Sequence, residues 1–180
     1  MPGPPVRRPY GTAAPQAKPG IRTRIPREVQ WNAPTLDQLW ADQKESHAKA
    51  LASFTEGALK FDGVESRLAW HGEAWRWTLE LNLPALDLGG KEADQMSMAY
   101  IVPRPETPEV AVPLSPAFLE AIPMRRINRF VREPIRSARQ AVEMHWGLFT
   151  PSAQTEVDHL LDLFKRKHKW LHQVKAEAEG

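Results

Sequence analysis

The stretch WRWTLELNL, residues 75–83, alternates between apolar and polar side chains. Side chains of an extended strand point alternately to the two faces of its sheet, so this pattern predicts a strand with one covered face and one face in water. The covered face is expected to hold Trp75, Trp77, Leu79, Leu81 and Leu83. The solvent face is expected to hold Arg76, Thr78, Glu80 and Asn82.

Four further segments predict the rest of a sheet. ESRLAW is joined to the first strand through HGEA, which predicts a hairpin with Gly72 in its turn. MSMAYIV (96–102) and EVAVPL (109–114) predict a second pair, in which Pro113 marks an edge strand or a strand end because proline cannot donate to the ladder. QAVEMHWGLF (140–149) predicts another strand, with one side formed by Val142, Met144, Trp146 and Leu148.

Two long amphipathic helices are predicted at the two ends of this set of strands. The first begins at Thr35, where Gln38 completes a capping box, and Gly57 provides its stop. Its apolar face includes His47, which we expect to be packed or hydrogen-bonded in the core. The last helix is predicted in TPSAQTEVDHLLDLFKRKHKWLHQV, residues 150–174. Its inward face holds Val157, Leu160, Leu161, Phe164 and Leu171. Its later turns carry Lys165, Arg166, Lys167 and Lys169, where positive charge suits the helix dipole.

These segments predict an α+β fold, in which an antiparallel sheet of about five strands is covered on one face by helices. Residues 31–175 are expected to form one domain, since a chain of this length buries roughly 68 to 70% of the surface exposed on unfolding. Residues 1–30 predict a flexible, proline-rich basic arm, because too few apolar side chains offset the ordering entropy. Residues 176–180 predict a disordered tail.

The order of these elements resembles that of small uncharacterised bacterial proteins. The resemblance covers roughly Leu36 to Leu171. It rests on four segments, AWRWTLELN, SMAYIVPRPETPEVAVPL, EMHWGLF and the lysine-rich TEVDHLLDLFKRKHKWL. The families are the YdhG-like proteins and the related domain-of-unknown-function family 3788. The resemblance implies a compact domain with helices on one face of an antiparallel sheet, and it transfers no catalytic residues.

Composition narrows the classes of protein that the chain can belong to. The absence of cysteine excludes disulfides, thiolate nucleophiles and cysteine-ligated metals, and it favours a reducing compartment, which predicts a cytoplasmic protein. No run approaches the roughly 18 apolar residues of a membrane span. We therefore expect a soluble protein without a membrane partner.

Five arginines recur at spacings of three and four residues in MRRINRFVREPIRSARQ, which predicts one arginine stripe on a helix that Pro134 kinks or divides. The stripe consists of Arg125, Arg129, Arg132, Arg136 and Arg139. Residues 1–30 add six basic residues against Glu28 alone. The arm and the stripe could form one basic footprint for nucleic acid, and the alternative is a solvated face partly paired with acidic residues.

The predicted hairpin turn holds a second group of candidates. His71 and Glu73 would form an acid–base pair if the fold brought them together, and Arg76 could then bind a carboxylate. A shallow ligand pocket is also possible, although the same rings equally describe a core. That pocket would be lined by Trp70, Trp75, Trp77, Tyr100 and Trp146. His168 and His172 share a helix face, but two ligands are too few for a metal site, and the neighbouring lysines would repel a dication. We predict no metal and no cofactor.

No glycine-rich phosphate loop, G-x-S-x-G elbow or paired-carboxylate motif occurs in the sequence. The leading hypothesis is therefore a non-enzymatic binding or interaction module. The alternative is a nucleic-acid-associated accessory protein that uses the arm and the arginine stripe. A second alternative is a small hydrolase or isomerase at His71 and Glu73. An anionic partner, either nucleic acid or an acidic protein surface, fits the first two hypotheses.

Overall fold

A computed structural model of the chain describes residues 26–84, 86, 97–141 and 143–180. In these residues six antiparallel strands form one sheet with the order β1-β2-β3-β4-β6-β5, which confirms the predicted α+β class with six strands where about five were expected. The strands are β1 (Glu65–Trp70), β2 (Trp77–Asn82), β3 (Ser97–Val102), β4 (Glu109–Leu114), β5 (Arg139–Ala141) and β6 (Met144–Phe149).

Six α-helices accompany the sheet in the described part of the chain. They are α1 (Leu36–Ala41), α2 (Glu45–Ala58), α3 (Gly72–Trp75), α4 (Pro116–Ala121), α5 (Arg129–Arg136) and α6 (Gln154–Glu179), with short 3-10 helices at Pro26–Glu28 and Met124–Arg126. None of the described helices is long and apolar enough to cross a membrane.

One face of the sheet, the inner face, holds the core. Leu79, Ile101, Val110 and Phe149 are consecutive cross-strand partners, and each is at most 2% exposed. Side chains at paired positions share a face, so this row continues across four strands. Helices α2 and α6 pack here through Phe54 and Phe164, whose rings meet edge-on with centroids 5.9 Å apart.

The first predicted helix is two helices, because the chain leaves helical geometry between Ala41 and Glu45. Its start is confirmed, since Thr35 and Gln38 form the reciprocal capping box. Gly57 does not stop the helix, which continues to Ala58. A Cβ atom at position 57 would lie 2.6 Å from Leu161 Cδ1, so this glycine instead allows α2 and α6 to approach each other.

The strand expected to begin at Trp75 begins at Trp77. Trp75 ends α3, and Arg76 adopts a positive φ of 56° before β2 starts. This change in the backbone at Arg76 breaks the alternation of side chains. The prediction that Trp75 and Trp77 share the inner face is therefore wrong. The predicted hairpin is confirmed as β1 with β2, but its connection runs from His71 to Arg76.

The segment predicted as one strand over residues 140–149 is a hairpin of β5 and β6. Gly147 and Phe149 lie on the inner face, where they pair across the sheet with β4, whereas Trp146 and Leu148 lie on the opposite face. Trp146 and Leu148 therefore share one side, as the alternation predicted, and that side is the face opposite the core. Val142 lies outside the described residues.

Two prolines lie within elements of the fold. Pro113 is the last residue but one of β4, so the predicted strand end is confirmed, whereas the other alternative, an edge strand, is wrong because β4 lies between β3 and β6. The ladder with β3 ends at Ala111, so Pro113 pairs only with β6 and no ladder bond to β3 is lost. Pro134 lies inside α5 and does not divide it. That helix has eight residues and is anchored in the core by Val131 and Ile135, so it tolerates the loss of one backbone hydrogen bond.

The ends of the fold also differ from the predicted bounds. Pro26–Glu28 forms a 3-10 helix in which Arg27 is buried, although residues 1–30 were expected to be an arm. The rest of that predicted arm, residues 1–25, lies outside the described residues. The predicted tail at 176–180 is helical as far as Glu179.

Lys167, one of the positive charges predicted for the later turns of the last helix, projects from α6 into the core. Its Nζ atom donates hydrogen bonds to the carbonyl oxygens of Pro113 at 2.6 Å, Ser97 at 2.7 Å and Met98 at 3.3 Å. Three acceptors match the three N–H bonds of an ammonium group. Burial nevertheless lowers the pKa of Lys167 to about 7, because a charged amine is unfavourable away from water.

Replacing Phe164 with alanine tests the packing of α6 on the sheet. Phe164 is 1% exposed and contacts both Phe54 and Phe61, so Phe164→Ala should lower the free energy of unfolding by about 3–5 kcal/mol. Chemical denaturation measures this loss. Leu59→Ala, at a side chain that is 40% exposed, is the control and should cost less than about 1 kcal/mol. Equal losses in the two variants would contradict this account of the core.

The pH dependence of stability tests the burial of Lys167. Because the folded pKa lies below that of the unfolded chain, the unfolded state binds more protons between about pH 7 and the ordinary lysine value of 10.5. The free energy of unfolding of the wild type should therefore rise with pH across this window relative to Lys167→Met. Denaturation at several pH values measures the difference, and Lys165→Met, which removes an exposed lysine from α6, should show none.

Candidate binding face of the sheet

The face opposite the core, the outer face, carries charged and aromatic side chains. The strand register places Arg67 of β1, Glu80 of β2 and Tyr100 of β3 side by side on it, and the same row continues through Ala111 to Leu148 of β6. Their position on the outer face follows from the alternation of side chains along each strand, because each neighbours in sequence a residue that points to the inner face.

Three aromatic rings meet on the outer face and form the aromatic cluster, which consists of Trp75, Tyr100 and Trp146. The ring of Trp75 lies edge-on to Trp146 with centroids 5.6 Å apart, and both indoles contact Tyr100 at 5.4 and 5.8 Å. All three are only partly buried. Edge-to-face pairs of this kind add stabilising energy to that gained by burying the ring surface, so the rings hold one another in place.

The predicted pocket of five aromatic residues is therefore divided between two surfaces. Trp70 and Trp77 are cross-strand partners with ring centroids 6.0 Å apart, and they lie away from the aromatic cluster. The indole Nε1 of Trp77 donates to the carbonyl of Val29 at 2.8 Å. Trp77 thus attaches the start of the described chain to the hairpin, while the other three rings remain candidates for ligand contact.

Glu80 is the centre of a polar cluster beside the aromatic rings. Its Oε2 accepts hydrogen bonds from Arg67 Nε at 2.8 Å and Asn82 Nδ2 at 3.2 Å, and its Oε1 lies 2.7 Å from His71 Nε2. Burial acts to raise the pKa of Glu80, but the hydrogen bond and charge of Arg67, together with His71, outweigh it and hold this pKa below its usual value. Glu80 is thus ionised at neutral pH.

The structure separates the three candidates that were predicted in the hairpin turn. His71 contacts Glu80 rather than Glu73, whose side chain is exposed in α3. Arg76 forms an ion pair with Glu28. The ring of His71 does reach Tyr100, with centroids 5.5 Å apart. Sequence reasoning missed Glu80 as a candidate, although the register of the β1–β2 hairpin already places Arg67 directly opposite it.

The predicted arginine stripe is distributed over three elements. Arg125 belongs to the 3-10 helix, Arg129, Arg132 and Arg136 to α5, and Arg139 to β5. The helix ends after Arg136, so the spacing of three and four does not continue along one axis. The whole stretch from Met124 to Arg139, here called the basic segment, holds six arginines, and its single acidic residue is Glu133. Glu133 lies 3.9 Å from Arg132 and 3.7 Å from Arg136.

A cleft of about 310 Å³ joins the aromatic cluster to the end of the basic segment. We call it the tryptophan cleft, because its walls include Trp75 and Trp146. Arg104, Glu109 and Arg139 supply its charges, and the end of α5 closes one side through Pro134, Ser137 and Ala138. Arg104 donates to Glu109 at 2.8 Å, whereas Arg139 is exposed and has no ion pair within the described residues.

A buried arginine fixes the position of Trp75. Arg27 Nη2 donates to the carbonyl of Trp75 at 2.8 Å, and Arg104 Nη2 approaches the carbonyl of Ala74 at 3.5 Å. Burial, with the positive charges of Arg76 and Arg104, lowers the pKa of Arg27 to about 10. This residue lies in the predicted arm, and no sequence signal marks its contact with a residue 48 positions away.

The histidines of the helices have structural partners. His47 Nδ1 lies 2.9 Å from the carbonyl of Pro151, in agreement with the expected hydrogen bond, although the side chain is half-buried and does not belong to the core. His168 Nε2 lies 2.8 Å from the carbonyl of Asp62 and 3.2 Å from His172 Nε2. Burial and the neighbouring His168 lower the pKa of His172. Within the described residues no three side chains of the metal-binding types converge on one point.

Comparison with family models, with curated proteins and with solved structures gives no match for this chain. The resemblance to YdhG-like proteins and to family 3788 therefore stays a prediction.

Replacing Glu80 with glutamine tests the polar cluster. Glu80→Gln removes the charge that binds Arg67 and His71, so it should lower the free energy of unfolding at pH 7 by about 1–2 kcal/mol. Because the folded pKa of Glu80 is lowered, its contribution is fully present above the ordinary carboxyl value of about 4.3 and is lost as the pH falls below it. Denaturation of both proteins between pH 7 and 3 should show the difference shrinking. Glu73→Gln, at an exposed carboxylate, is the control and should change stability at neither pH.

Proposed function

We propose that the protein is a non-enzymatic binding module that holds an anionic partner in the tryptophan cleft. The observation that carries the proposal is the combination of half-buried indoles and arginines at one concave site on the outer face. Ligand sites typically join apolar walls to a few placed polar groups. The two rings of Trp75 and Trp146 would supply the walls, and Arg139 would supply a charge with no competing ion pair within the described residues.

Charge favours an anionic partner over a cationic one. The basic segment carries five more positive than negative charges, and it contributes four of the residues that line the cleft, including Arg139. Guanidinium groups bind carboxylates and phosphates through paired hydrogen bonds. A partner with several negative charges could therefore extend from the cleft along the exposed arginines.

The hydrolase or isomerase hypothesis has less support from the described residues. His71 and Glu73 do not pair, and the carboxylate of Glu80 is already engaged by Arg67, Asn82 and His71. A general base must have a lone pair directed at its substrate. The contacts of Glu80 favour a role in holding His71 and the outer face in position.

Salt elution from immobilised heparin tests the proposed anionic partner, since heparin carries many negative charges and no aromatic bases. The wild type should be retained at low salt, and Arg139→Glu should elute at a clearly lower salt concentration. Lys169→Glu is the control, because it makes the same change of charge on α6, which packs on the inner face. Both variants should keep the wild-type thermal unfolding curve.

Two results would overturn the proposal. One is a wild type that is not retained at low salt. The other is a loss of retention that is equal for Arg139→Glu and Lys169→Glu, because the binding would then follow net charge and not the cleft.

A further inference from the structure

We infer that the anionic partner is a single-stranded nucleic acid, whose bases stack in the tryptophan cleft while its phosphates contact Arg139 and the basic segment. This inference rests on the proposed function and names the class of ligand for the same site. Proteins that bind single strands combine stacking rings with a positively charged path for the backbone. The cleft has both features within one concavity.

The aromatic cluster supplies the first feature. Trp75 and Trp146 are nearly perpendicular, at 84°, so a base that stacks on one indole meets the edge of the other. Both side chains are partly exposed, and both line the cleft. Bases of a duplex are stacked on one another and present only their edges, whereas the bases of a single strand are free to enter such a cleft.

The outer face supplies a path that continues beyond the cleft. Tyr100 contacts both indoles, and along its row Glu80 comes next and Arg67 follows on the edge strand. The carboxylate of Glu80 is buried and paired with Arg67 and His71, so the exposed charge at this end of the row is that of Arg67. Adjacent strands are about 4.8 Å apart, so the row from Leu148 to Arg67 spans about 19 Å. This length suits several nucleotides rather than one. The side chain of Arg67 is 72% exposed, which leaves it open to a phosphate although its Nε binds Glu80.

The aromatic rings also decide between nucleic acid and an acidic protein surface. An acidic surface would be bound by the exposed arginines alone, and it would leave the two indoles of the cleft without a role. A nucleic acid uses both groups, because every base has a face that stacks and every linkage carries a charge. Stacking on rings is also tolerant of sequence, so we expect little preference among bases.

Fluorescence anisotropy with labelled 12-residue oligonucleotides tests this inference on the full chain. The probes are oligo(dT), oligo(rU), a DNA duplex of the same length and an abasic strand with the same charge. Wild type should bind the single strands roughly 5- to 150-fold more tightly than the abasic strand, as one or more stacked bases imply, and more tightly than the duplex. Affinity should fall steeply as salt is raised.

Variants separate the bases from the phosphates. Trp146→Ala should lower the affinity for oligo(dT) roughly 5- to 150-fold and leave the abasic strand nearly unaffected. Trp31→Ala is the matched control, because Trp31 is 91% exposed and does not line the cleft. Arg139→Glu should weaken all the strands, including the abasic one, and should flatten the dependence on salt. Trp146→Phe keeps a stacking ring, so it should retain most of the affinity if Trp146→Ala does not fold.

The inference is overturned if oligo(dT) binds no more tightly than the abasic strand, or if Trp31→Ala weakens binding as much as Trp146→Ala. It is also overturned if polyglutamate binds more tightly than oligo(dT), which would identify an acidic polypeptide as the partner. In each of these cases the proposed binding module stands as long as heparin retention depends on Arg139. If no polyanion binds, the inference and the proposed function fail together.

Discussion

The burial of one sheet face against α6 is the constraint on which the rest of the molecule depends. This helix has 26 residues and is about 39 Å long, so it can cross the whole width of the sheet. It places Phe164 and Leu171 against the inner face, and its contact with α2 is close because Gly57 lacks a side chain. Once the leucines of β2 are committed to that side, strand geometry places Glu80 and Tyr100 on the other. The candidate site is thus a consequence of the core.

Local patterns in the sequence predicted the elements whose signals lie within a few residues of one another. The capping box at Thr35 and the bounds of β4 both follow from such short-range chemistry. The errors occur where the chain changes direction without a marker residue. Arg76 adopts a positive φ that glycine would usually occupy, and the sequence between β5 and β6 contains none of the residue types that favour turns.

Buried cations were beyond prediction for a different reason. Arg27 and Lys167 are long basic side chains in polar surroundings, a pattern that favours solvent exposure. Their acceptors are backbone carbonyls 48 to 70 positions away, and carbonyl positions leave no trace in the sequence. The tryptophan cleft could not be predicted either, because its residues are distant in the sequence. Its two indoles and Arg139 lie between positions 75 and 146 of the chain, and only the pairing of β5 with β6 and the fold of α3 bring them together.

Contacts within the protein also preorganise the tryptophan cleft for a ligand. Arg27 holds the carbonyl of Trp75, Arg104 is fixed by Glu109, and the rings of Trp75, Tyr100 and Trp146 restrain one another. Ordering a free side chain on binding costs about 0.5–1.5 kcal/mol, so rings that are already fixed retain more of their stacking energy as affinity. Arg139 is exposed and lies on a three-residue edge strand, so it can adjust to the position of a charge. A rigid aromatic wall beside an adaptable arginine favours a partner with flat rings at regular intervals and negative charges between them.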